Sequence, residues 1–293
     1  MKNLWEGLKE KFKLGKYDRL VKQLLSMEGE ISPWVVENLS SFTYTEISQA
    51  IKEAFPVMET YMQKNLLFLL EGIGYIQWLT STLESKEEEE TLFALEMIQI
   101  IRPLKALGSL VKCLGDKKES IRFEAASALI AYRDKKVVEM MVKELKETSS
   151  CMPARVAQVL TGYGALAVSV MLDNLENPDL DTGLIIEILS QIQDERIPGY
   201  VVECLDSENA KTRIAAVKYM FRRHRPQYLD MLKSRVELET HPQVCREIIK
   251  GLNNLGTPES LMLLQDVEAV INQAISTDVV NSLQEVSAAG EEM

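Results

Sequence analysis

Asp116-Lys-Lys-Glu-Ser-Ile-Arg122-Phe-Glu-Ala-Ala-Ser-Ala-Leu129-Ile-Ala-Tyr-Arg133-Asp decides the fold. A polar turn runs into Ile-Arg, and a helix rich in small residues follows at once. With the apolar run Leu107 to Leu114 before it, the stretch reads as one helix–turn–helix unit. The second helices of such units begin near Val35, Leu66, Leu92, Phe123, Val156, Leu184, Ile214 and Cys245, at gaps of 31, 26, 31, 33, 28, 30 and 31 residues. A period near 30 containing only helical pattern marks a tandem array, in which each unit buries its apolar face against its neighbours. The turns carry helix-starting residues: Ser32-Pro33, Asn177-Pro178-Asp179, Asp206-Ser207-Glu208-Asn209 and His241-Pro242. Their side chains accept from, and proline dispenses with, the first N–H groups of the next helix.

Composition agrees with an all-α chain. Of 293 residues 46% are hydrophobic and only 6% aromatic, and the helix formers Leu, Glu, Lys, Ala and Met dominate. The net charge of −11 opposes a duplex-binding function, which needs a concentrated basic surface. Cys113, Cys151, Cys204 and Cys245 show no CxxC spacing. Cys113 and Cys204 each lie nine residues before a repeat arginine, which predicts buried core thiols in a reducing cytoplasm. No apolar leader opens the chain, and no run reaches the roughly 18 to 20 uncharged residues that a membrane span needs.

Three segments are expected. Residues 1–16 form an amphipathic N-terminal helix, with Leu4, Trp5, Leu8 and Phe12 on one face and lysines on the other, ended by Gly15. It closes the array, and peripheral membrane contact is the alternative role. Residues 17–275 form the repeats. Residues 276–293 form a C-terminal cap and acidic tail. Glu84-Ser-Lys-Glu-Glu-Glu-Glu90 reads as a solvated turn placing acids at a helix start, and Pro56 as a short break. Gly72-Ile-Gly74 and Gly162-Tyr-Gly164 read as helix ends or close helix contacts.

Glu119-Ser-Ile-Arg122-Phe-Glu-Ala-Ala, Ala210-Lys-Thr-Arg213-Ile-Ala-Ala and His241-Pro-Gln-Val244-Cys-Arg-Glu resemble the D-P-x-V-R-x-x-A turn of bacterial HEAT-like repeats. The likeness covers about Lys105 to Asp266. Gly183 and Cys245 depart from it at the arginine position, and the first three units lack the signature. The resemblance implies a right-handed α-solenoid of about eight antiparallel helix pairs. It also implies second helices along a concave face, structural roles for Arg122, Arg155 and Arg213, and protein–protein scaffolding.

Catalytic chemistry is hard to find. Two isolated histidines, His224 and His241, and no His-Glu dipeptide argue against a metal site and against the di-iron hydroxylases among HEAT proteins. No phosphate loop or nucleophile elbow is present. The expectation is therefore a non-enzymatic cytoplasmic scaffold without cofactor or metal. A HEAT-like DNA glycosylase or a phycobilin-lyase-like enzyme is the alternative. Aligning the repeats at the arginine puts Leu160, Ile185, Ile188 and Ile192 on the groove side, and the basic Lys218, Arg222 and Arg225 one unit on. An apolar strip beside a basic one predicts docking of a protein partner, namely an acidic amphipathic helix.

Overall fold

A computed structural model describes residues 15–26, 30–145, 153–175, 177, 180–223, 225, 227–236, 238–265 and 267. Among them there is no strand. They fall into two compact units divided between Gly162 and Tyr163. The glycine pair read as a helix end lies at this point: Gly164 has φ +56° and follows the last residue of a helix.

The first unit contains α1 (15–25), α2 (Pro33–Asn38), α3 (Tyr44–Ala54), α4 (Thr60–Gly72), α5 (Tyr75–Thr82), α6 (Glu88–Ile101), α7 (Leu107–Cys113), α8 (Glu119–Ala131), α9 (Lys135–Glu144) and α10 (Pro153–Tyr163). The second contains α11 (Ala165–Leu172), α12 (Thr182–Leu189), α13 (Ile197–Glu203), α14 (Ala210–Arg223), α15 (Gln227–Val236), α16 (Pro242–Leu255) and α17 (258–265). Every second-helix start expected from the period lies inside one of the even-numbered helices α2 to α16.

Packing follows repeat logic. In the first unit α7 packs on α8, and α8 lies along α6. In the second, α12, α14 and α16 stack in a row. The contact faces are made of small or branched residues. Ala125, Ala126, Ala128 and Leu129 of α8 are buried, as are Ala216 and Val217 of α14. Small side chains let neighbouring axes approach within the 8–10 Å of tight helix packing.

One register expectation needs correction. The period assigns α4 to the second-helix row, yet α3 and the turn Phe55–Val57 are what lie against α6. Lys52 of α3 makes an ion pair with Glu96 of α6 at 2.6 Å and sits over the Phe93 ring. Tyr44, Tyr75, Trp78 and Phe93 form a ring cluster of T-shaped and tilted pairs behind that contact, and the Ser48 and Tyr75 hydroxyls share a buried 2.6 Å hydrogen bond. α3 holds its place through a capping box: the Thr43 hydroxyl accepts from the Glu46 amide, and the Glu46 carboxylate accepts from the Thr43 amide. Bulky aromatics in place of a small-residue face explain why the first unit departs from the 30-residue period.

The segment expectations fare differently. Gly15 does not end a helix: residue 15 is helical and lacks the positive φ that a glycine stop requires. Leu4, Trp5, Leu8, Phe12 and the cap and tail at 276–293 lie outside the described residues, as do Cys151 and His224. Pro56 does mark a short break, a single 3-10 turn after α3. Glu88, Glu89 and Glu90 do occupy the first turn of α6, where carboxylates complement the helix dipole. Gly74, at φ +79°, starts α5, and a Cβ on it would stand 3.3 Å from the Tyr44 hydroxyl. Cys113 is buried and Cys204 half-buried, and burial pushes both thiols up to about 11. No single described helix is long and apolar enough to cross a membrane.

Candidate interaction surface

Two of the repeat arginines, Arg122 and Arg213, act through one atom pattern. Arg122 donates from Nη1 to the carbonyls of Asp116 and Lys117, at 2.7 and 2.9 Å. Arg213 donates from Nη1 to the carbonyls of Ser207 and Glu208, at 2.7 and 3.1 Å. In both repeats the acceptors are six and five residues upstream, in the turn that starts the helix. Cys245, at the arginine position of the last repeat, directs its Sγ to the Glu239 carbonyl six residues upstream, at 3.6 Å. Gly183 cannot carry an arginine without displacing its neighbour: a Cβ there would lie 3.2 Å from the Lys211 carbonyl oxygen.

The same arginines bridge consecutive repeats within each unit. Arg155 of α10 and Arg122 of α8 both pair with the Glu119 carboxylate. Arg213 makes a two-pronged pair with Glu239, at 2.8 and 2.9 Å, and Glu239 also accepts from the His241 amide at 2.9 Å. Burial opposes ionisation of Glu239. The hydrogen bonds from Arg213 and His241 and the charges of Arg213 and Arg235 outweigh it, and hold the carboxyl below its ordinary value.

The apolar strip expected to line a groove is core. Leu160, Ile185, Ile188 and Ile192 are between 0 and 6% exposed. α12 has eight residues, and its neighbours α11 and α14 close over it. The alignment at the arginine marks surface on α14, where Lys218 is exposed, but not on α12, whose branched side chains fill the space between helices. The basic strip is partly structural too. Arg222 donates to the Ser190 hydroxyl at 2.5 Å, and Arg223 to the carbonyls of Ser190 and Ile192 at 3.3 and 2.5 Å. Arg223 therefore caps the end of α12, and Arg222 bonds a side chain at that end. Lys218 and Arg225 are exposed, and Arg225 stands at the rim of a recess of about 710 Å³ floored by Met220, Phe221, Tyr228, Leu232 and Leu255. The apolar residues that the sequence assigned to this surface are thus buried, and the apolar recess beside Arg225 is formed by other residues.

The even-numbered helices α2, α4 and α8 of the first unit expose Val36, Tyr61, Phe68 and Phe123. With Ile121, Ala125, Ala128 and Leu129 buried, the helical period turns Phe123 outward, and it is 49% exposed. Phe123 and Leu92 face a shallow depression of about 570 Å³ between α6 and α8, edged by Glu96, Glu119, Ser120 and Glu124. Next to it Glu88 accepts from the Ser120 hydroxyl and pairs with Lys118 at 3.4 Å; these two contacts lower its pKa. The opening stretch contained this signal. A helix that buries its alanines must present what stands opposite, and opposite stands a phenylalanine.

Among the described residues no group of three or more His, Cys, Asp or Glu could hold a metal ion. No protein-family model matches the sequence, and no curated protein matches it. Among solved structures, the chain is similar to human deoxyhypusine hydroxylase at 15% identity and TM-score 0.30, over 92% of this chain and 98% of that one. It is similar to the phycocyanin lyase CpcE–CpcF complex from Nostoc at 16% and 0.30, over 84% and 98%. It is similar to a HEAT-like repeat protein from the archaeon Thermococcus onnurineus at 16% and 0.30, over 80% and 98%. At these values the similarity says nothing about the site; the helical-repeat fold rests on the packing described above.

Proposed function

We propose that this chain is a non-enzymatic cytoplasmic scaffold that binds a segment of a partner protein on the α6–α8 face of its first unit. The observation that carries the reading is Phe123, a large aromatic half-exposed in a depression between two second helices. An exposed aromatic set in a pocket is the usual anchor of a protein interface.

The test is affinity capture from the native host with wild type and Phe123→Ala. The variant should lose its captured protein while costing about 1 kcal/mol of stability, because only part of the ring leaves the core. Capture that is unchanged in a folded Phe123→Ala would remove the reading.

A further inference from the structure

At Glu96 and Glu119 the charges beside Phe123 are sorted by depth, whereas the neighbouring Lys118 and Glu88 side chains are exposed alike, at 44 and 40%. The Glu96 and Glu119 side chains are 52 and 60% exposed, whereas their partners Lys52, Arg122 and Arg155 are 29, 12 and 22% exposed. The cations lie underneath and the carboxylates face water. α6 adds Glu88, Glu89 and Glu90 at one end, and it contains no lysine or arginine. Glu124 stands beside Phe123 on α8. An incoming chain thus meets an apolar floor of Leu92 and Phe123 with anionic edges. Its own cations could pair with the exposed carboxylates there without displacing the half-buried arginines.

In the second unit the apolar recess beside Arg225 is edged by charges of both signs, Arg225, Asp230 and Glu259. α14 carries Lys211, Arg213, Lys218, Arg222 and Arg223 and no acid. The apolar residues beside them on α12 are buried. The α6–α8 depression therefore combines both halves of a recognition surface, an anchor site and a charge pattern.

We infer that the segment bound at α6–α8 is a cationic amphipathic helix, with an apolar side chain packed on Phe123 and Leu92 and lysines or arginines reaching Glu96, Glu119 and Glu124. The inference rests on the docking role proposed for this face and adds the chemistry of the partner. Apolar packing supplies most of the affinity, and the carboxylates supply association rate and sign selectivity.

The experiment titrates the full chain into a fluorescein-labelled Leu/Lys helix of about five turns. A Leu/Glu helix and a Ser/Lys helix of equal length serve as comparisons. The Leu/Lys helix should bind best. Phe123→Ala and Glu124→Lys should each weaken it about tenfold. Glu203→Lys changes net charge by the same amount in the second unit, at an exposed site, and should leave affinity within about twofold. Equal weakening by Glu203→Lys would mean attraction to the net charge of −11 alone and would overturn the inference. Tighter binding of the Leu/Glu helix would overturn it as well. So would binding that appears only after residues 1–14 are deleted, because the occupant would then be the chain's own Leu4, Trp5, Leu8, Phe12 and lysine stretch. If the Leu/Lys helix fails while host capture still depends on Phe123, the partner chemistry is wrong and the docking role stands. If capture ignores Phe123, the docking role itself fails.

Discussion

Glu239→Ala unfolds about 3–5 kcal/mol more easily than the wild-type chain, the cost of removing one partner from a buried ion pair. The side chain is 1% exposed, and it satisfies Arg213, itself 10% exposed, with two hydrogen bonds. Arg235 lies 3.6 Å from the same carboxylate. Truncation leaves Arg213 in a nearly closed site with no counter-charge, while Arg235 keeps Asp206 at 3.3 Å. It also frees the turn that starts α16, because the His241 amide loses its acceptor. Glu239→Gln keeps the shape and some hydrogen bonds, so its loss should be smaller. The pH dependence follows from the sign of the shift. The folded-state pKa lies below the ordinary carboxylate value of 4.5, so the pair's stability is complete above that value. It is lost as pH falls through the lower folded value. The stability gap between wild type and Glu239→Gln, measured by urea unfolding, should be widest near neutral pH and narrow below about pH 4.5. A gap that stays constant with pH would show that the carboxylate's charge plays no part.

Ile188→Asp has an expected effect of similar size for a different reason. Ile188 is 1% exposed on a helix covered by α11 and α14. Removing its branched chain costs roughly 2–5 kcal/mol, and an unpaired carboxylate in that space adds to it. The protein should melt many degrees lower or fail to fold. Phe123→Ala, also on a second helix, should melt within a few degrees of wild type. The contrast separates core from surface on elements that look alike in sequence. Similar melting of the two variants would contradict the burial pattern.

What the sequence made legible differs between period and facing. Eight helix starts could be read from a spacing near 30, because that spacing is set by helix length plus a short polar turn. The repeat arginines were legible as structural residues, because their acceptors are carbonyls five and six residues upstream in the same turn. Facing is a tertiary property. On α12 the residues at the groove offset are Ile185 and Ile188, and periodicity alone does not say whether α14 closes over them. In the first unit, aromatic stacking between α3, α5 and α6 replaces the small-residue contact, so the period misassigned α4. Charge was misleading in a similar way. The basic run on α14 is conspicuous in sequence, yet Arg222 and Arg223 are occupied by the end of α12. The acids around Phe123 come from two helices, and only the packing of α6 on α8 gathers them.

The central claim is that a partner chain lies on the α6–α8 face, over Phe123. The most direct test is photo-cross-linking in the native host, with a photoreactive phenylalanine analogue at position 123 and, separately, at the exposed position 218 of α14. The account predicts a discrete cross-linked protein from position 123, lost when Glu96 and Glu124 are both changed to lysine, and none from position 218. A discrete product from position 218 and nothing from position 123 would contradict it.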